Sequence, residues 1–377
     1  MTDREHRDSG AADRAAVVRP EGSLTAGRGA PHQDGAPRWR LRAAIEPFFA
    51  SDGDVYLLRG TGAREHVIRA PGEHDRELLA RLAHDGVGAA TGSPEHARLA
   101  PLIDAGIVVA EPELEQLGSD AARFARQLPY LEDFGDPVGA QRRLRGSSIC
   151  IVGCGGLGTW ALVALAGLGI GRFVLVDDDV VDLSNLNRQV IYRARDLGRD
   201  KVQLAAEWLA AFDPEIEVET YRRRVRGSAD VAAVVSACDL LVLTADWPPY
   251  ELNRWVNRAC LARGVPFISA GQQPPLLKVG PTYVPGRGAC FACSEHHLRA
   301  DYPLYDELVE QRSRRPPQAT TLGPASGIIG AVLAVEVLHL LMGHWPLATH
   351  DRVLLFDMRT LQSRFVAIER HPDCHEC

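Results

Sequence analysis

The stretch from Ser148 to Lys201 limits what this chain can fold into more than any other. It reads SICIVGCGGLGTWALVALAGLGIGRFVLVDDDVVDLSNLNRQVIYRARDLGRDK. Ile149–Val152 is a short apolar run that ends at a cluster of glycines, as a fully buried strand does. The glycines open an apolar helix, and a second apolar run, Arg172–Val176, ends in three acids. Strand, glycine turn, helix and strand in that order form a nucleotide cradle. The expected fold class is therefore α/β, with a Rossmann-like doubly wound sheet.

The glycines have separate tasks. Gly153 permits the turn off the strand, and Gly155 and Gly156 let backbone N–H groups approach an anion without a Cβ in the way. Gly158 lets the helix lie close to the sheet. The helix start then faces the anion with unpaired N–H groups and a partial positive charge. Asp177 follows about 20 residues later, where an acid can hydrogen-bond a ribose hydroxyl. Up to this point a nicotinamide dinucleotide fits as well as any other nucleotide. The next residues shift the reading. Asn185 and Arg188 come just past the second strand, and Lys201 one short segment later. An Arg and a Lys aimed at one glycine turn suit a triphosphate, whose charge must be neutralised as pyrophosphate leaves. No G-x-x-x-x-G-K-[ST] motif occurs, which excludes a Walker-type ATPase.

Further along, Asp239–Asp246 is another apolar run that ends in an acid. Strands alternating with helices imply a parallel sheet, with ligands at the carboxyl ends of its strands. Asp246 then shares a rim with Gly153 and Asp177 and is assigned to Mg²⁺, a hard cation that takes oxygen ligands. Two CxxC pairs, Cys290/Cys293 and Cys374/Cys377, lie far apart. Such pairs fit a closed structural zinc site of four sulfurs.

The net charge of −7 argues against nucleic acid as the main partner. No uninterrupted apolar run reaches ~18 residues, so no membrane span is expected. The first residues, MTDREHRDSGAADRAA, lack the apolar core of a secretory signal, which points to a cytoplasmic protein. Residues 1–37 show no periodicity and are read as a disordered tail. Residues 38–113 are read as a small winged-helix-like α+β domain of order strand-strand-helix-helix-strand, with Ser93 capping a helix that Pro94 begins. Its mixed charges do not suit DNA. A peptide clamp that adds its ligand as a strand and a plain packing appendage both remain open. Residues 114–377 are read as one larger α/β domain that carries the cradle and the two CxxC pairs, in which His297–Gly323 is read as an irregular loop.

The motifs GCGGLG, LVDDDVVDLSNLNRQ, GRDK and DLLVLTAD, in this order, resemble the ThiF/MoeB/E1-like adenylyltransferase superfamily, over roughly Phe124 to Cys377. That resemblance implies ATP as co-substrate, with Gln189 among the nucleotide-binding residues. It implies that the two CxxC pairs hold zinc. It also implies a homodimer in which Arg126 reaches the other subunit's γ-phosphate. The position after Gly271 would line the groove for the substrate's tail, and His297–Gly323 would cross over that tail. No cysteine lies between Cys293 and Cys374, so nothing in that loop can carry a thioester as in ubiquitin activators. Two substrate classes then compete, a small sulfur-carrier protein and a ribosomally made precursor peptide activated at a carboxylate or amide, as in the microcin C7 branch. The added domain favours the peptide. A leader-binding partner that uses no ATP is a third hypothesis, against which Arg188, Lys201 and Asp246 count, and an NAD-binding oxidoreductase is the remaining alternative, against which the SNLNRQ segment counts.

Overall fold

The structure is a computed structural model that describes residues 36–60, 63–315 and 320–377, with the backbone alone at 63–65. The tail expected over residues 1–37 lies outside the described residues except for its last two. The chain divides into two compact units, one running to Leu41 and from Ile45 to Glu111, the other comprising Arg42–Ala44 and Pro112–Cys377.

The first unit contains β1 (Arg38–Leu41), β2 (Ile45–Phe49), β3 (Val55–Arg59), β4 (Ala63–Ile68), α1 (Glu73–His84), β5 (Val87–Gly88), α2 (Pro94–Asp104) and β6 (Val108–Ala110). They form two three-stranded sheets, β5-β1-β6 and β2-β3-β4. Trp39, Leu41, Val55, Leu57, Leu79, Leu82 and Leu99 make its core. Ser93 caps α2 as expected, its hydroxyl accepting from the His96 N–H at 3.1 Å. The expected order lacked β1, β2 and β5. In β1 the alternation of Arg38 and Arg40 with buried Trp39 and Leu41 is a period-two signal only four residues long. In β2, Pro47 removes a ladder donor, a mark of an edge strand.

The second unit begins with α3 (Asp120–Arg123), α4 (Leu128–Leu131) and α5 (Pro137–Arg145). The nucleotide-type core follows as β7 (Ser148–Val152), α6 (Gly156–Leu168), β8 (Arg172–Val176), α7 (Lys201–Phe212), β9 (Glu217–Tyr221), α8 (Ser228–Val235), β10 (Leu240–Leu243), α9 (Glu251–Arg263) and β11 (Phe267–Gln273). It closes with β12 (Leu276–Tyr283), α10 (Phe291–Asp301), α11 (Tyr305–Arg314), α12 (Gly323–Met342), β13 (Arg352–Asp357) and β14 (Gln362–Ala367). The eight strands run in the order β14-β13-β12-β11-β10-β7-β8-β9. From β11 to β9 neighbours are parallel, and from β11 to β14 antiparallel. One face packs residues of α5, α6, α7 and α12, the other residues of α8 and α9. Both faces of β7 are therefore covered, which is why all five of its residues are buried. The chain leaves β7 toward β8 and later returns to its other side at β10. This makes the carboxyl end of β7 the switch point, where such sheets open a crevice.

The segment read as an irregular loop, His297–Gly323, departs from that expectation. Most of it is helical, the end of α10 and all of α11, and residues 316–319 lie outside the described residues. Only Tyr305 and Val309 of α11 are buried, a stripe too thin to register as helical periodicity. What fastens these helices is polar. Glu295 takes a paired contact from Arg254, at 2.7 to 3.0 Å, and accepts from the Tyr305 hydroxyl at 2.9 Å.

Helix α12 is long and apolar enough, by length and composition, to cross a membrane, but half of its span is buried in this unit. Its buried Glu336 accepts from the N–H groups of Ala348 and Thr349 and from the Thr349 hydroxyl, at 2.8 to 3.0 Å. Gly330 sets its distance from α6, since a Cβ there would lie 2.5 Å from the Trp160 Cβ and 2.8 Å from the Ala161 nitrogen. Gly330→Val should therefore force the two helices apart and cost about 2–3 kcal/mol. A urea midpoint equal to that of the parent chain would contradict this packing.

Candidate active site

The site is built on the turn between β7 and α6. Gly153 has φ of 103°, and a Cβ on it would lie 2.6 Å from the Ala245 nitrogen, in the segment leaving β10. The Gly153 carbonyl passes beneath Gly158, where a Cβ would sit 1.8 Å from its oxygen. The Thr244 hydroxyl donates to the same carbonyl at 2.7 Å. The turn thus holds its shape through two glycines and one hydroxyl from the neighbouring strand's end. Gly155 is the residue before α6 and supplies no side-chain cap, so the first N–H groups of the helix stay available to a ligand. An anion is the natural occupant of such a position.

Asp177, at the end of β8, supports this turn from the side. One carboxylate oxygen accepts from the Cys154 N–H at 2.6 Å and the other from the Asp179 N–H at 2.8 Å. Burial pushes its carboxyl above the ordinary range, and the Lys201 ammonium and these two N–H groups pull it back. Lys201, the first residue of α7, is 5% exposed, and its ammonium lies 2.8 Å from Asp179. Its backbone N–H also donates to the Asp179 carbonyl at 3.1 Å. The Tyr192 hydroxyl sits between two carbonyls, 2.9 Å from that of Cys154 and 3.2 Å from that of Lys201.

The sequence motif that follows β8 folds back over the helix start. The Arg188 side chain runs along Gly156, its Cγ 3.2 Å from where a Cβ would stand, and its guanidinium donates to the Ser184 carbonyl and the Asn187 side chain. Gln189 is buried, its amide nitrogen 3.8 Å from the Cβ position of Gly155, and its amide oxygen has no partner among the described residues. Asn185 is also buried, but its side-chain oxygen accepts from the Asp182 N–H at 3.1 Å in a reciprocal cap. That bond commits the Asn185 oxygen to local structure and leaves its amide nitrogen as the group that can face a ligand. Asp246 is exposed, three residues beyond β10, and follows the Ala245 that touches Gly153. Asp178 pairs with Arg224 at 3.6 Å and Asp200 with Arg222 at 3.1 Å, so the rim acids alternate with cations.

Arg126 is not brought to this rim. It lies in the turn between α3 and α4, exposed, and has no hydrogen-bond or ion-pair partner among the described residues. Its neighbour Gln127 donates to the Leu168 carbonyl at 2.9 Å, and Phe124 packs against Gly169. Both contacts are at the far end of the 13-residue α6, about 20 Å from the glycine turn. Within its own chain Arg126 cannot reach the site.

Thr244, Asp179 and Tyr192 were not singled out by sequence reasoning. Nothing in the run Asp177-Asp178-Asp179 says which acid meets Lys201. For Thr244 the only signal is its place at the end of an apolar strand.

The four CxxC sulfurs meet at the start of α10. They lie within 4.8 Å of one another, with closest approaches of 3.5 to 3.6 Å. A tetrahedral ion about 2.3 Å from each sulfur would set them about 3.8 Å apart, whereas a disulfide needs about 2.05 Å. The donor set therefore fits a tetrahedral metal. His296 and His371 stack with ring centroids 4.0 Å apart.

Comparison with known proteins agrees with this geometry. Residues 124–376 match the family described as the ThiF family. The sulfur carrier protein ThiS adenylyltransferase of Escherichia coli (strain K12) is 33% identical over 261 residues, covering 68% of this chain and 95% of that protein. The SAMP-activating enzyme E1 of Haloferax volcanii is 33% identical over 263 residues, covering 68% of this chain and 88% of that one. Among solved structures, E. coli MccB superposes with a TM-score of 0.73 at 24% identity, over 90% of this chain and 97% of that one. PaaA gives a TM-score of 0.68 at 23% identity, over 87% and 99%. The structural likenesses speak to the fold, and the sequence matches carry the family. With the glycine turn, the acids at the strand ends and the match over residues 124–376 together, the chain belongs to the ThiF family of adenylyltransferases.

Proposed function

We propose that this adenylyltransferase uses ATP to activate a carboxylate, or an amide, of a ribosomally made precursor peptide, and that its N-terminal unit grips that peptide. The observation that carries the peptide reading is the extent of the likeness. The ThiS adenylyltransferase and the SAMP-activating enzyme align with 68% of the chain and the adenylyltransferase and sulfurtransferase MOCS3 of Sus scrofa with 84%, while the MccB fold covers 90% of it. One such structure is titled as the microcin C7 biosynthetic enzyme MccB in complex with N-formylated MccA. The first unit offers suitable chemistry. Its β2-β3-β4 sheet has two outer strands, and Phe48 and Phe49 are exposed on β2. An outer strand can take an extended peptide through main-chain hydrogen bonds.

The reaction is a displacement at the α-phosphorus of ATP. An oxygen of the substrate carboxylate forms the new P–O bond, and the bond to the β-phosphate breaks, releasing pyrophosphate. A carboxylate is already ionised at neutral pH, so no general base is required. Alignment and charge neutralisation are what remain. The N–H groups at Gly155 and Gly156 hold phosphate oxygens, Gly153 and Gly158 shape the turn, and Asp177 takes the ribose. Arg188 and Lys201 face the phosphate chain, with Asn185 and Gln189 as amide contacts. Asp246 offers oxygen ligands to Mg²⁺, which would neutralise charge on the departing pyrophosphate. Arg126, stranded at the far end of its own α6, completes the site of a second copy in a homodimer. The four cysteines hold Zn²⁺ and pin the C-terminal tail to α10. Activation of a sulfur-carrier protein is the second reading, favoured by the 33% identity to the ThiS adenylyltransferase.

Arg188→Ala or Lys201→Ala should each lower ATP–pyrophosphate exchange by about a hundredfold or more and leave peptide affinity intact. Exchange at the parental rate would contradict the phosphate site. Removing residues 1–111 should weaken binding of the precursor peptide about tenfold or more, with cooperative unfolding of the remainder. Unchanged affinity, or tight binding only of a carrier protein, would favour the second reading. Metal analysis should find about one zinc per chain, lost in Cys374→Ser together with a lower melting temperature. A folded protein without metal would contradict the zinc assignment.

A further inference from the structure

Beneath the glycine turn, polar groups close into a ring. The Cys154 N–H donates to Asp177 at 2.6 Å, and the Asp179 N–H donates to Asp177 at 2.8 Å. The Lys201 ammonium donates to Asp179 at 2.8 Å. The Tyr192 hydroxyl shares its one proton between the Cys154 carbonyl, at 2.9 Å, and the Lys201 carbonyl, at 3.2 Å. Tyr192 is 4% exposed and packed in the main core, so its phenol enters an apolar setting for which phenylalanine would suffice. What tyrosine adds there is one hydroxyl aimed at the glycine turn and at the root of Lys201.

That placement matters because of what lysine is. Its ammonium sits on a flexible four-carbon stem, with little intrinsic geometry. A lysine that acts on the phosphates held by the glycine N–H groups must keep a fixed distance from those groups. Small misplacements of a reacting group cost rate steeply. In this chain the stem is held at both ends, by Tyr192 at its backbone and by Asp179 at its head. We infer that Tyr192 and Asp179 are positioning residues for adenylation, fixing Lys201 relative to the glycine turn. The inference rests on the phosphate-site reading above.

The test is Tyr192→Phe, which keeps the ring and removes the hydroxyl, measured with the unfolding midpoint alongside. ATP–pyrophosphate exchange at saturating ATP should fall about tenfold, and ATP affinity by calorimetry should weaken about fivefold. In a Lys201→Ala background the same substitution should cause no further loss, because Tyr192 acts through Lys201. Asp179→Asn probes the ring from its exposed side, the Asp179 side chain being 64% exposed, and should also slow exchange in a protein that folds normally. Parental exchange and affinity in both variants would overturn the inference. So would an equal loss from Tyr192→Phe with and without Lys201, since a purely structural hydroxyl would act in either background. If the parent chain itself shows no exchange, the functional reading fails separately. The ring is then decided by ATP affinity, which a fivefold weakening in Tyr192→Phe supports and no weakening refutes.

Discussion

One contact governs the rest, the passage of the Gly153 carbonyl beneath Gly158 with no room for a Cβ between them. It turns the chain from β7 directly into α6 at the point where the sheet's connections diverge. The helix start is left without a side-chain cap, and its N–H groups face the crevice. Everything placed around it serves that opening. Thr244 holds the carbonyl, Asp177 braces the turn from β8, and Ser326 of α12 packs against Gly156, 3.0 Å from where its Cβ would be. The buried sheet supplies rigidity, and the exposed rim supplies charge.

The electrostatics of the rim are balanced by pairing. Asp178, Asp179 and Asp200 each meet a cation, and Lys201 is buried with its partner already in place. An ammonium so enclosed would be costly if left alone. Pairing with Asp179 lets the protein hold this cation in a fixed place at the rim. In the proposed reaction, which needs no proton transfer, preorganised charge of this kind is the main resource.

How much of this is legible in the sequence depends on the length and sign of the local signals. β8 falls where its apolar run does, and β7 begins one residue earlier than expected, because both strands are buried on two faces and bounded by glycine or acid. Ser93 and Pro94 marked a helix start that the structure keeps. β1 and β5 escaped notice because they are four and two residues long. The helices α10 and α11 escaped because polar pairs such as Arg254 with Glu295 hold them, and such pairs leave no hydrophobic period. In the site, the order of motifs put Arg188 and Lys201 near the turn. It could not show that Arg126 sits at the opposite end of α6, nor that Asp179 is the acid that meets Lys201, since both facts depend on how distant segments fold together.

The central claim is that a triphosphate, and not a dinucleotide, lies over the glycine turn. The most direct measurement is a crystal structure of the chain with a non-hydrolysable ATP analogue. The account predicts phosphate oxygens within about 3 Å of the N–H groups of Gly155 or Gly156 and of the Arg188 and Lys201 side chains. A nucleotide bound elsewhere, or one at the turn with both cations directed away into solvent, would contradict it.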